Sequence, residues 1–390
     1  MVSRADRGPL AEWLWTVDHY LLAAFVLLAI GGVVLSFAAS PPVAERLGVE
    51  SFYFVKRQAV FLLPALAMMI GLSLMSPRII RRVALLFLIG SLAMMVATLF
   101  LGVEVKGGRR WINLGFTTLQ PSEFLKPAFV VIVAFLLSES GRRREVPGAL
   151  FSALIFAVAA MLLIAQPDFG QTMLLALGWG ALFFINGLPW IAIIALAVVG
   201  LVGMSSAYFL LPHVTSRVNR FLDPGSGDTF QVDTAREAFL SGGWFGKGPG
   251  EGIVKRILPD SHTDFVFSVV AEEFGIIVCM LMVVLFSFIV LRGLRNAARD
   301  QDAFSRLATS GLVIMFGLQA TINLMVNLNL IPAKGMTLPF ISYGGSSLFS
   351  TALTAGFILA LSRRKPRPVH SESVIVSRVS PSSLMQPGIR

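Results

Sequence analysis

Residues 20–39 read YLLAAFVLLAIGGVVLSFAA, twenty positions without a charge. A helix rises ~1.5 Å per residue, so a run of this length crosses the ~30 Å hydrocarbon core of a bilayer. The run contains Ser36-Phe37-Ala38, which has the look of a leader-peptide cleavage site. Leader peptides, however, have apolar cores of only about 7–15 residues, so this stretch reads as a retained membrane helix. Further apolar runs follow at 54–75, 83–102, 124–138, 148–165, 172–187, 190–211, 264–291, 306–328 and 346–362. Together they predict an all-α polytopic membrane protein of about ten transmembrane helices. The runs at 124–138 and 172–187 are short and are expected to extend into their flanks.

The composition of the 390-residue chain agrees: 55% of it is hydrophobic and only 14% charged, with a mean hydropathy of +0.77. Soluble domains carry roughly 25% charged residues, so this chain cannot coat a water-exposed surface. The net charge of +10 does not point to nucleic acid, because the Lys and Arg residues lie between apolar runs rather than on one folded face. The single cysteine, Cys279, sits inside an apolar run. It excludes an intrachain disulfide and a Cys-based metal site, and the four histidines are scattered.

Basic residues of connecting segments mark the cytoplasmic side. With the N-terminus inside, the inner connections hold Arg78, Arg81, Arg82, Arg142, Arg143, Arg144, Arg292, Arg295 and Arg299, and the C-terminal tail holds more. The short outer connections hold fewer, so both termini are expected in the cytoplasm. The chain then divides into a cytoplasmic tail at 1–19, a membrane domain at 20–365 and a Pro- and Ser-rich, disordered cytoplasmic tail at 366–390. One long extracytoplasmic loop covers about 212–263. Within it Asp228-Thr229 is a fair cap, and Val232, Ala235 and Phe239 repeat at helical spacing up to Gly242-Gly243. A short helix on the membrane surface is expected there.

Four features carry possible chemistry. Gly242-Gly243-Trp244-Phe245-Gly246-Lys247-Gly248 superficially looks like a phosphate loop but lacks its Ser or Thr and its preceding strand, and reads as a flexible loop. Leu258-Pro259-Asp260-Ser261-His262-Thr263-Asp264-Phe265 ends the long loop. There, Thr263 or Asp264 could cap the eighth spanning helix; alternatively Asp264 is a carboxylate at the membrane's outer lip, able to accept a proton from a hydroxyl. Further along that helix, Glu272 falls about 80° and Glu273 about 180° around from Asp264. Carboxylates at membrane depth mark a cavity or a partner, and Glu123 and Lys126 of the fourth helix are candidate partners. Finally, Lys106, Arg109 and Arg110 suit either an anionic ligand or lipid headgroups.

Several blocks resemble the SEDS family (shape, elongation, division, sporulation). These are Gly108-Arg109-Arg110-Trp111-Ile112, then Gln120-Pro121-Ser122-Glu123 with Lys126; Gln166-Pro167-Asp168-Phe169-Gly170; His262-Thr263-Asp264-Phe265 with Ala271-Glu272-Glu273-Phe274-Gly275; and Pro339-Phe340-Ile341-Ser342-Tyr343-Gly344-Gly345. The similarity runs in order over about 20–365. Ala333-Lys334-Gly335-Met336-Thr337 and Arg217-Val218-Asn219-Arg220-Phe221-Leu222-Asp223-Pro224 look like the division branch, with the elongation branch as the alternative.

The resemblance implies a peptidoglycan glycosyltransferase of the bacterial inner membrane, active at the division septum. Its substrate would be lipid II, a disaccharide-pentapeptide on undecaprenyl pyrophosphate. Its partners would be an FtsI-like class B penicillin-binding protein and other division proteins; a divalent cation, magnesium or manganese, is compatible with the family. Asp264 matches the family's essential aspartate. A base is wanted for the acceptor hydroxyl, which is Asp264, and cations for the departing pyrophosphate, which are Lys106, Arg109, Arg110, Lys334, Arg217 and Arg220. The matching blocks add Trp111, Gln120, Ser122, Glu123, Lys126, His262, Glu272, Ser342 and Tyr343 as substrate contacts. One departure stands out: Lys255 and Arg256 occupy positions near Leu258-Pro259 where relatives carry an acid, leaving Asp260 as the substitute. Two other readings remain, a lipid II flippase and a scaffold for the division apparatus.

Overall fold

A computed structural model describes residues 8–105, 108–115, 117–143, 145–223, 230–332 and 335–363. The chain begins with α1 (Pro9–Thr16), α2 (His19–Arg46), α3 (Tyr53–Ser73) and α4 (Pro77–Leu101). Three short strands follow, β1 (Val103–Val105), β2 (Gly108–Asn113) and β3 (Thr118–Leu119). Next come α5 (Pro121–Arg142), α6 (Gly148–Ala165), α7 (Phe169–Ile185), α8 (Trp190–Leu210), α9 (Pro212–Leu222) and α10 (Phe230–Gly242). After a 3-10 turn at Val254–Arg256, the chain ends in α11 (Val266–Arg299), α12 (Ala303–Asn327) and α13 (Gly345–Leu361). Eight of these helices are long and apolar enough to cross a membrane: α2, α3, α4, α5, α6, α8, α11 and α12. Two shorter apolar helices, α7 and α13, complete the set expected from the sequence. The protein is an all-α polytopic membrane protein.

Local signals fix where the helices start. Asp18 caps α2 by accepting from the amides of Tyr20 (3.0 Å) and Leu21 (3.1 Å). Asp302 caps α12 through Ser305 N at 3.1 Å. Proline stands at the first turn of α4 and of α5, where its missing N–H costs nothing. The run at 124–138 does extend into its flanks, giving α5 its 22 residues.

Lipid as solvent inverts the usual pattern. Ile191, Leu201 and Phe209 of α8 are exposed, whereas Glu123, Lys126, Lys255, Glu272, Glu273, Asn323 and Asn327 are buried. In hydrocarbon each buried polar group must be satisfied by protein. The central post is α5, which packs on α4, α6, α7, α12 and α13.

Three features depart from the sequence expectations. The N-terminal tail contains α1, whose Trp13 donates its indole N–H to Ser73 Oγ at 2.9 Å. The segment after α4 is a small antiparallel sheet of order β1-β2-β3. The third concerns α11, which is broken: Gly275 sits at φ 79°, ψ 177° inside it. The glycine-rich segment beginning at Gly242 is stitched into the gap rather than lying free. Lys247 N and Gly248 N donate to the carbonyls of Glu272 (2.9 Å) and Glu273 (3.0 Å), while Ile276 N donates to Gly243 O (3.0 Å). Glycine is required for this approach: a Cβ on Gly246 would stand 2.1 Å from Glu273 O. A broken helix in hydrocarbon needs such partners for its freed backbone groups.

The expected surface helix at 232–242 is α10, and its Ala235 and Phe239 pack into the protein core beside α11. Its proposed cap, Asp228-Thr229, and the tail at 366–390 lie outside the described residues.

Candidate active site

The site is built around a turn. Asp260 adopts a left-handed conformation (φ 51°), which Asp tolerates better than most residues. Its carbonyl gathers the amides of Thr263 and Asp264 at 3.1 Å and Phe265 at 3.3 Å. Helix α11 starts at Val266 with Phe265 as its N-cap. Asp264 therefore stands outside the cap position, and neither it nor Thr263 caps the helix. The angular relation expected between Asp264 and Glu272 fails for the same reason, since Asp264 is not helical.

Helix α12 holds this turn. The Asp264 carbonyl oxygen accepts from Asn323 Nδ2 and Asn327 Nδ2, each at 2.9 Å. Asn327 Oδ1 in turn accepts from Ser268 N (3.1 Å) and Ser268 Oγ (2.9 Å). The segment before α13 closes the other side. Asn323 Nδ2 also donates to Met336 O at 2.6 Å, Ser342 Oγ donates to Thr263 O at 2.5 Å, and Tyr343 N donates to His262 O at 2.9 Å. The His262 ring lies 4.7 Å from Phe54 and 5.5 Å from Tyr343. Burial raises the pKa of the Tyr343 hydroxyl, with Arg57 opposing. Gly335 keeps the approach to the carboxylate open, for a Cβ there would come within 3.3 Å of Asp264 Oδ2. Asp264 itself is half-buried.

Charge converges on the same place. Arg217 of α9 feels Arg110, Asp168, Arg220 and Asp264. Its side chain is exposed. Desolvation by the surrounding protein, then repulsion from Arg110 and Arg220, lowers its pKa, while Asp168 and Asp264 act the other way. An arginine so placed stays charged. Arg110 is anchored: its Nε donates to Gln166 O at 2.9 Å, its Nη2 to Pro167 O, and its Nη1 lies 3.8 Å from Asp168 Oδ1. Burial raises the pKa of Asp168, with Arg110 the main opposing influence.

The strand separates the expected basic cluster, because alternate residues point to opposite faces. Arg110 turns inward, whereas Arg109 is exposed and lies 3.6 Å from Glu104. Trp111 is half-buried in β2 opposite Val103. Lys106 and Lys334 lie outside the described residues. Arg220 bonds its own helix, donating to Ser216 Oγ at 2.6 Å.

The buried ion pairs differ from the expected ones. Lys126 Nζ bonds Glu123 Oε2 and Gln319 Oε1, both at 2.9 Å, and Gln171 Nε2 bonds Glu123 Oε1 at 2.8 Å. Neither Glu272 nor Glu273 takes part. Glu272 accepts three backbone amides, from Ile253 (2.7 Å), Val254 and Lys255 (2.8 Å each), and Glu273 pairs with Lys255 Nζ. Loop and helix are close enough in space that these partners win over the more distant α5. Lys255 is thus committed to Glu273, which accounts for a base at the position where an acid was expected. The network does reach the site: Gln319 Nε2 donates to Thr337 O at 3.0 Å, beside Met336. Gln120 and Ser122 lie at the start of α5, where Gln120 N donates to Ser346 Oγ at 2.9 Å and Gln120 Nε2 to Ser122 Oγ at 3.2 Å.

Sequence reasoning missed Gln319, Asn323 and Asn327. They recur every four residues along α12, one buried amide stripe facing inward. No group of three or more His, Cys, Asp or Glu residues forms among the described residues. The side chains around Asp264 therefore form no protein-built metal centre among the described residues.

A half-buried carboxylate with arginines in charge range, at the end of a helical bundle, suits proton abstraction next to a departing anion. The profile of a cell-cycle protein family, FtsW/RodA/SpoVE, matches residues 18–367. A probable peptidoglycan glycosyltransferase FtsW of Caulobacter vibrioides is 47% identical over 93% of this chain and 94% of its own length. One from Tolumonas auensis is 33% identical over 90% and 95%. Among solved structures, the Thermus thermophilus rod-shape-determining protein RodA superposes with a TM-score of 0.65 at 28% identity, covering 90% and 98%. A chain of a peptidoglycan synthase complex, described as coordinating polymerization and crosslinking, gives 0.74 at 29%, covering 89% and 97%.

Proposed function

The chain belongs to the FtsW/RodA/SpoVE family of cell-cycle proteins, and from that membership we propose how it works as a peptidoglycan glycosyltransferase of the FtsW kind. The enzyme is a multi-pass protein of the inner membrane. In this reading it polymerises lipid II on the outer face, at the septum, with both termini in the cytoplasm and a class B penicillin-binding protein beside it. Depletion then yields filaments that fail to divide; rounded cells would point to the RodA-type elongation role.

The reaction joins two sugars. The acceptor hydroxyl attacks the donor's anomeric carbon, the bond from that carbon to the lipid pyrophosphate breaks, and the hydroxyl proton is lost. Asp264 is assigned to take that proton. Arg110, Arg217 and Arg220, with Lys106 and Lys334, are assigned to the leaving pyrophosphate. Arginine suits phosphate oxygens, and preorganised cations aimed at developing charge are commonly the largest catalytic contribution. The observation that carries the assignment is geometric: Asn323 and Asn327 hold the Asp264 main chain at 2.9 Å each, Ser342 holds the adjacent Thr263, and the Asp264 carboxylate faces Gly335.

A flippase would draw support from the broken α11, since transporters use half-helix ends to bind their cargo. Here the freed backbone groups at the break are taken by the segment from Gly243 to Gly248, which favours the enzyme. The test is lipid II polymerisation by the purified protein with and without its transpeptidase. Long glycan strands are expected. Lipid II translocation across a vesicle without any glycan product would favour the flippase.

A further inference from the structure

The end of the bundle away from Asp264 is rich in arginine. There, Arg142 pairs with Asp302 and Arg363 with Glu12, and α4, α5 and α6 enclose a cavity of about 590 Å3. Arg78, Arg81 and Arg82, from the first two turns of α4, line it together with apolar residues that include Phe135 of α5 and Leu154 and Ile155 of α6. Leu154 is exposed on the outer surface of α6, so the cavity is a notch open toward lipid.

The arginines are poised for an anion. Among the described residues, Arg78, Arg81 and Arg82 make no ion pair, while Glu139 and Asp302 are engaged by Arg142. Arg81 is held in place by aromatic rings, its guanidinium carbon 4.8 Å from the centre of Phe135 and 5.2 Å from that of Phe304. A planar guanidinium fixed this way keeps its N–H fork free for phosphate oxygens. Arginines that only set membrane orientation need no cavity beside them.

We propose that this notch binds an anionic phospholipid, with the phosphodiester among Arg78, Arg81 and Arg82 and an acyl chain against the apolar walls. A soluble phosphate would use the arginines but leave the walls empty. A zwitterionic lipid would fill the walls but bring its own cation to an already cationic rim. Basic pockets between transmembrane helices recognise anionic headgroups on this physical basis. The site is separate from the turn that carries Asp264, and its test does not depend on catalysis.

Native mass spectrometry of the purified protein, in micelles doped equally with phosphatidylglycerol and phosphatidylcholine, reads the preference directly. The wild type is expected to retain phosphatidylglycerol over phosphatidylcholine by about fivefold or more. The triple variant R78Q/R81Q/R82Q is expected to bring the ratio near one, whereas K56Q, at the exposed Lys56–Glu50 pair of the opposite end, leaves it unchanged. Leu154→Trp fills the notch while keeping every charge, and is expected to lower retention of both lipids; it carries the test if the triple variant fails to insert. Equal retention of both lipids by the wild type, or full phosphatidylglycerol retention in both the triple and the Leu154→Trp variants, would overturn the proposal. Displacement of the bound lipid by millimolar glycerol phosphate would also overturn it, in favour of a soluble-anion site.

Discussion

Asn323 donates its side-chain amide to the backbone carbonyl of Asp264 at 2.9 Å, so a helix deep in the bundle sets the position of that residue. Asn327 repeats the bond one turn further along. Both contacts go to the main chain and not to the Asp264 carboxylate. The two asparagines are therefore positioning residues, and each bond is worth about 1 kcal/mol by the usual scale.

Replacing Asn323 with Leu should thus lower kcat by about tenfold or somewhat more, with little change in KM for lipid II. Asn327→Leu should do more, because it also frees Ser268. Steady-state kinetics on purified variants checks this. A pure KM effect would mean that the asparagines contact substrate instead.

The stitched break in α11 predicts sharp intolerance at Gly246 and Gly275. Both have positive φ, and a Cβ on either would meet backbone oxygen within 2.3 Å. Gly246→Ala and Gly275→Ala should each cost at least about 1–3 kcal/mol and lower the melting temperature in detergent. Gly31→Ala, where a Cβ meets nothing within 4 Å, should leave it unchanged.

Lys255 and Glu273 form a buried pair between the long loop and α11, and Lys255 Nζ also donates to Ala38 O at 3.0 Å. Breaking such a pair strands a buried charge and typically costs ~3–5 kcal/mol. Lys255→Met should therefore destabilise strongly, and adding Glu273→Gln should restore much of the loss. A double-mutant cycle on thermal unfolding measures the coupling; additive losses would show that the pair is not coupled.

Asp18 gives a pH prediction at the opposite end. Burial pushes its carboxyl up, but hydrogen bonds from Arg292, Asn296 and the Leu21 amide more than offset that, so its pKa lies below the ordinary value of 3.8. A group with a depressed folded pKa contributes stability above its unfolded value, and loses it as pH falls through the folded one. Asp18→Asn should accordingly destabilise at neutral pH, with the gap from wild type closing only below about pH 3.8. A gap that closes at higher pH would assign it to another group.

Much of this was legible in the sequence. The apolar runs gave the membrane helices because length and charge depletion are local properties, and the stretch 258–265 drew attention to Asp264. What the sequence hid was spatial. Asp264 and Val266 are close along the chain, yet only the turn at Asp260 shows that the helix starts after the aspartate. Glu272 looked like a partner for Lys126 because both are charges in apolar helices; Glu272 is instead held by the loop at 247–255, and Lys126 by Glu123 and Gln319. The basic triplet Lys106, Arg109 and Arg110 read as one cluster, whereas the alternation of a strand sends Arg109 and Arg110 to opposite faces. The stripe Gln319, Asn323 and Asn327 was readable by its four-residue spacing and was passed over, being uncharged.

The central claim is that Asp264 accepts the proton of the attacking hydroxyl, and Asp264→Asn tests it most directly. The substitution keeps the shape of the side chain and the main-chain carbonyl that Asn323 and Asn327 hold, and no helix cap is lost because Phe265 occupies that position. Lipid II polymerisation by the purified variant, assayed with a class B transpeptidase present, should fall by about 10²–10⁴-fold, with membrane insertion unchanged. Retention of most of the wild-type polymerase rate would contradict the assignment.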